Sequence, residues 1–178
     1  RQLAKRSSQR GAATVTTPVK RGGSAANEPI RMSIHRRSTW SARSPRLSRL
    51  DSMGRISRIT VHHSAGPSFW QQSTTETARH IRNIQKYHQQ NRGWGDIGYH
   101  FIIDRTGRVW QGRDLRYQGA HAGGAANRGN VGIVVLGNYT RQNLRSPQVV
   151  ALRNLVSQLC LKYGVAGDRV QTHGEVDP

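Results

Sequence analysis

Arg58-Ile59-Thr60-Val61-His62-His63-Ser64-Ala65-Gly66 is the stretch whose reading decides the fold. Ile59, Thr60 and Val61 are β-branched and favour an extended, pleated backbone. Two histidines follow at once, and Ser64, Ala65, Gly66 and Pro67 end the run. The stretch therefore reads as a short strand, 56–62, that delivers imidazoles to its own C-terminal edge. In an open α/β sheet that edge is where ligands bind. A solvated histidine pair at a strand end is the other reading of the same residues.

Working outward, Val131-Gly132-Ile133-Val134-Val135-Leu136-Gly137 is an apolar run of the kind found in a strand covered on both faces, and it is expected to be the central strand. Gly98-Tyr99-His100-Phe101-Ile102-Ile103, the turn Asp104-Arg105-Thr106-Gly107 and Arg108-Val109-Trp110-Gln111 read as a hairpin. Alternation puts Tyr99, Phe101 and Ile103 on one face and His100 and Ile102 on the other. Ser73-Thr74-Thr75-Glu76 fits a capping box, and Ala78, Ile81, Ile84 or Gln85, and His88 recur behind it at helical spacing. This predicts a helix over 74–91, with His80 and His88 as surface or partly buried histidines. A second helix is expected to start at Ser146-Pro147, with the Ser146 hydroxyl as cap. Its apolar stripe would be Val149, Leu152, Leu155 or Val156, Leu159 and Tyr163, and Gly164 would end it.

Strands alternating with helices give an α/β class, and 178 residues suffice for one domain with a real core. Trp40, Leu47, Leu50 and Met53 are expected to pack on that domain as a lead-in segment. Residues 1–33 are rich in Arg, Ser, Gly, Ala and Thr, which cannot bury enough surface to offset ordering entropy; they read as a basic tail or linker before a domain at 34–178. Residues 1–49 carry 12 of the 28 basic groups and one acid, Glu28. Such a field attracts polyanions. The tail has no aromatic residue to stack on bases, which argues against nucleic acid. Anionic cell-wall polymers are the expected partner of the tail. The single cysteine, Cys160, excludes an intramolecular disulfide and adjoins the second helix's stripe as a small core residue. No run of 18 apolar residues is present, so no membrane span is expected.

Four separated signals remain: His62 at a strand end, Tyr99 in Gly-Tyr-His-Phe, His121 in Ala-His-Ala-Gly-Gly, and His173-Gly-Glu-Val-Asp-Pro. In that order, and joined by Asn130 to Asn138, they resemble the zinc-dependent N-acetylmuramoyl-L-alanine amidases of the peptidoglycan recognition protein and phage lysozyme-amidase family. The likeness runs from about Ile34 to Pro178 and includes Arg37-Ser38-Thr39-Trp40-Ser41-Ala42. It implies a mixed, mainly five- or six-stranded sheet flanked by helices, with Zn2+ in a groove that holds a peptidoglycan strand and its stem peptide. His62 and His173 match metal ligands. The third ligand, Cys or Asp in the family, is expected beyond Pro178, so the domain looks truncated there. Tyr99 matches the tyrosine that assists the attacking water and the oxyanion; some relatives use a Glu on the central strand, where this chain has Val134. His63 is the neighbour of the first ligand, His121 a groove histidine near the scissile bond, and Trp94, between two glycines, a groove wall.

The implied reaction is hydrolysis of the lactyl amide between muramic acid and L-alanine. Zinc keeps one position for water, brings its pKa toward neutrality and polarises the carbonyl. The alternative is a non-catalytic peptidoglycan-recognition module. The implied place of action is extracellular, periplasmic or at the cell wall. The absence of paired cysteines points to a bacterial or phage, endolysin-like protein.

Overall fold

A computed structural model describes residues 32–64 and 66–176. The basic tail, but for Met32 and Ser33, lies outside them. The β-branched run forms its strand, at Arg58–His63 where 56–62 is expected. In chain order the strands are β1 (Ile34–His35), β2 (Arg58–His63), β3 (Phe101–Ile103), β4 (Val109–Gln111), β5 (Asn130–Val135) and β6 (Val170–Thr172), and the helices are α1 (Thr74–Gln90), α2 (Ser146–Tyr163) and the short α3 (His173–Val176). The strands make one mixed sheet in the order β1-β4-β3-β5-β2-β6, parallel except for the β3/β4 hairpin.

The apolar run 131–137 is central because it must be: every residue of β5 is buried, with β2 and β3 parallel on either side. Alternation along β5 sends Val131, Ile133 and Val135 to one cluster with Ile59, Phe101, Ile103 and the α2 residues Ala151, Leu155 and Leu159. Val134 goes to the other, with Trp40, Ile102, Trp110 and the α1 residues Ala78 and Ile81. Each helix thus covers one face of the sheet. His62 pairs with Val134 and lies on the α1 face.

Several local expectations are corrected. β3 begins at Phe101, and Tyr99 packs with Ile102, not with Phe101. The physical reason is an irregularity before the strand: the successive carbonyls of Tyr99 and His100 both accept from the opposite chain, from Arg113 N at 2.8 Å and Gly112 N at 2.8 Å. In a regular antiparallel ladder only every second residue faces its partner this way, so the period-2 alternation does not extend back to Tyr99. Ser146 is not the cap of α2. It is the first helical residue after Arg145, whose N–H donates to Gln148 Oε1 at 3.3 Å. Val149 is exposed and Ala151 takes its place in the stripe; Leu47 is also exposed, whereas Trp40 and Met53 are buried. Trp40 donates from Nε1 to Gln111 O at 2.9 Å, which seats the lead-in segment on β4. α1 ends at Gln90, one residue early; at its start Ser73 Oγ accepts from Glu76 N at 3.1 Å. Gly164 ends α2 in the left-handed region, φ +66°, as expected.

Candidate functional site

His62 and His63 are the last two residues of β2, but only His62 faces the α1 side and is buried, while His63 is exposed. Thr172 of β6 pairs with Val61, so His173 follows at the level of His62, and their ring centroids are 4.8 Å apart. Tyr99 lies 5.4 Å from His62 on the other side, ring to ring. His121 completes the group, 4.9 Å from His62, with its Nδ1 3.0 Å from His62 Nε2. The four signals that are scattered in sequence therefore converge on one place. They line a groove of about 530 Å³ together with His63, Trp94, Asn127 and the glycines 123 and 124.

The space for His121 is made by glycine. A Cβ on Gly132 of β5 would come within 2.3 Å of His121 Cδ2, and one on Gly119 within 2.2 Å. The loop that carries the ring is held by Asn127, whose Oδ1 accepts from His121 N at 2.9 Å and Ala122 N at 3.0 Å. His121 Nε2 lies 3.2 Å from Asn130 O. Tyr99 is positioned through Arg113. This buried guanidinium donates to the carbonyls of Ile97 (2.8 Å), Asp96 (3.0 Å) and Gln118, so it ties the Tyr99 loop to the chain leading into His121. Burial lowers its pKa to about 10, which leaves it charged at neutral pH.

Burial, and then the neighbouring His121, His173 and His63, push His62 down to about 3. Burial likewise holds His121 at about 3. Both rings are neutral at physiological pH. Burial raises the Tyr99 phenol, so it stays protonated and can only donate to a developing negative charge. Its hydroxyl makes no hydrogen bond to protein among the described residues.

Sequence reasoning missed three groove residues. His88, expected to be an ordinary helix histidine, is buried beside Trp94 (4.6 Å) and Tyr99 (5.9 Å), and its Nδ1 accepts from Gly98 N at 3.0 Å. Its place on the buried stripe of α1, three residues after Gln85, was the available signal. Tyr87 and Arg92 also line the groove, with the Arg92 guanidinium 5.5 Å from the Trp94 ring centre. The exposed His63 accepts on Nδ1 from Tyr139 N at 3.3 Å.

His100, which sequence grouped with the strand, is fully buried and satisfied. Gly132 N donates to its Nδ1 at 2.9 Å, and its Nε2 lies 3.0 Å from Tyr117 O. Burial lowers its pKa to about 4. It is therefore neutral when folded, whereas the unfolded chain protonates it near pH 6.5. The unfolded state binds the extra proton, so stability is complete above pH 6.5 and falls as pH drops toward 4. His100→Gln is expected to shrink the difference in unfolding free energy between pH 7 and pH 5 by about 2 kcal/mol, as measured by urea denaturation at the two pH values. An unchanged pH dependence would show that His100 already carries a proton in the fold.

Zinc is the metal that the resemblance implies, and the donor set fits in part. Two imidazoles, His62 at the end of β2 and His173 at the start of α3, stand within reach of one ion, and burial keeps His62 neutral. Among the described residues no group of three His, Cys, Asp or Glu is placed to hold a metal.

The family model described as N-acetylmuramoyl-L-alanine amidase matches residues 52–178. The chain belongs to this family. It is 36% identical over 132 residues to peptidoglycan-recognition protein SC2 of Drosophila simulans, which covers 74% of this chain and 70% of that protein. It is 38% identical over 136 residues to the N-acetylmuramoyl-L-alanine amidase of Homo sapiens, covering 74% of this chain and 23% of that one. Among solved structures, a Drosophila PGRP-LB variant in complex with tracheal cytotoxin superposes with a TM-score of 0.72 at 30% identity, over 82% of this chain and 85% of that one. The single-domain α/β architecture expected from the resemblance is the observed one. These relatives are animal proteins, and the bacterial or phage origin expected from the lone cysteine finds no support in them. Among the described residues no helix is long and apolar enough to cross a membrane.

Proposed function

We propose that the chain is a zinc-dependent amidase that hydrolyses the lactyl amide between muramic acid and L-alanine in peptidoglycan. The observation that carries this reading is the convergence of His62, His173 and Tyr99 in one groove of an amidase-family fold. His62 and His173 would hold the ion as neutral imidazoles. Zinc, when bound, supplies an activated water and polarises the amide carbonyl. Tyr99, protonated and with no partner for its hydroxyl among the described residues, donates to the oxyanion that forms as the carbonyl is attacked. Trp94 and His88 wall the groove on the α1 side, and His63 borders it at the end of β2. Action on peptidoglycan places the protein at the cell wall, outside the cytoplasm. The basic residues 1–33 belong to the same proposal as an electrostatic tether to anionic wall polymers.

The second reading, a module that binds peptidoglycan without cutting it, is favoured by the two-ligand donor set among the described residues. Purified peptidoglycan separates the two. Incubation with the zinc-loaded chain is expected to release stem peptides with a free L-alanine amino group, detected by mass spectrometry, and a chelator is expected to stop the release. Binding to the polymer without any such release, in zinc-replete buffer, would establish the recognition module instead.

A further inference from the structure

His121 has no ring nitrogen left for a substrate. A carbonyl oxygen can only accept, so the contact between His121 Nε2 and Asn130 O, 3.2 Å, puts the hydrogen on Nε2. In the neutral ring Nδ1 then carries the lone pair. The 3.0 Å contact from His121 Nδ1 to His62 Nε2 therefore requires His62 to donate from Nε2. That leaves the His62 lone pair on Nδ1. The main chain of β5 thus dictates, through two imidazoles, which nitrogen of the first metal ligand is bare.

We infer that His121 is a positioning residue that fixes the His62 tautomer, so that Nδ1 of His62 is the atom presented to the metal. This rests on the proposed zinc site and deepens it. It replaces the expectation that His121 contacts substrate near the scissile bond.

The surroundings are built for this purpose. The ring cannot tilt toward β5 or back toward its own loop, because the bare Cα atoms of Gly132 and Gly119 are its contact surface; a Cβ at either would overlap Cδ2. Its backbone is pinned by Asn127. Its acceptor, Asn130 O, belongs to the first residue of the central strand, so it does not move independently of the sheet. The Asn130 side chain is itself tied down, by Thr60 Oγ1 at 3.0 Å and Ala126 O at 3.0 Å. An outer partner of this kind orients a metal-ligating histidine and fixes its protonated nitrogen, and losing one typically costs 10–100-fold in metal affinity.

The test reads tautomers and metal affinity, not turnover. In the metal-free chain, long-range 1H–15N correlation spectra are expected to show both His62 and His121 protonated on Nε2. His121→Ala should leave His62 as a mixture of tautomers and weaken zinc binding about 10–100-fold, measured by competition with a chromophoric chelator. His121→Asn keeps an oxygen acceptor near the position of Nδ1 and should recover most of that affinity. Gly132→Ala replaces neither histidine, yet its Cβ would overlap the His121 ring and, by displacing it, should mix the His62 tautomers. Two results would overturn the inference: a hydrogen on Nδ1 of His62 in the unaltered chain, or zinc binding by His121→Ala as tight as wild type. Failure of the unaltered chain to bind zinc would sink the amidase reading, while the His62 tautomer would still decide the role of His121.

Discussion

His62→Ala is expected to leave a folded chain without zinc and without amidase turnover. His62 is one of two imidazoles that meet, from the end of β2 and the start of α3, and a catalytic zinc site has few protein ligands to spare. Removing one member of a cooperating set costs about 10⁴-fold or more in turnover, because the remaining members no longer act together. The fold should tolerate the change. The side chain is buried at the end of β2, outside the two apolar clusters, and its burial already disfavours the charged form that the unfolded chain adopts below pH 6.5. His173→Ala should give the same loss from the start of α3. His63→Ala is the control: that ring is exposed and engages Tyr139 N, so zinc content by elemental analysis should stay at the wild-type level. Turnover by His62→Ala in a zinc-free preparation would sink the metal mechanism outright.

Much of this site is legible in the sequence because its strands obey simple rules. Ile59 to Val61 and Val131 to Val135 are β-branched or apolar runs too short for helices, and both become central parallel strands. Once β2 is placed, His62 stands at its end without further assumption. What failed to be legible depends on tertiary detail. The face of Tyr99 inverts because two successive carbonyls bond across to residues 112 and 113, and no local pattern announces such an irregularity. The Ser146-Pro147 pair is shifted one place into the helix because Gln148 satisfies the Arg145 N–H, a cap that sequence spacing alone did not reveal. His88 looked ordinary because a histidine on a helix stripe is compatible with core, surface or groove; only the loop 93–99 folding over α1, with Trp94 N on His88 O and Gly98 N on His88 Nδ1, makes it a groove wall. In the sequence Gly132 is one residue of an apolar strand run and Gly119 carries no signal of its own. Their function is the absence of a Cβ beside His121, which appears only when the two segments meet.

Tyr99→Phe is expected to separate binding from chemistry. The hydroxyl makes no hydrogen bond to protein among the described residues, so its removal leaves no buried partner unsatisfied and costs the fold little. The ring stays, and with it the packing against the apolar cluster on the α1 face and the edge of the groove. Zinc content and binding of intact peptidoglycan should therefore match the unaltered chain. Turnover should fall by about 10²-fold or more, the amount lost with one donor to a developing oxyanion or one acid–base group. Burial raises the phenol's pKa, so its role near neutrality is that of a donor, and no limb of the pH–rate profile between pH 6 and 9 should disappear in the variant. Loss of zinc from Tyr99→Phe would assign the tyrosine to the architecture of the metal site. Unchanged turnover would move the oxyanion donor elsewhere in the groove, where the ring N–H groups of His88 and Trp94 are candidates.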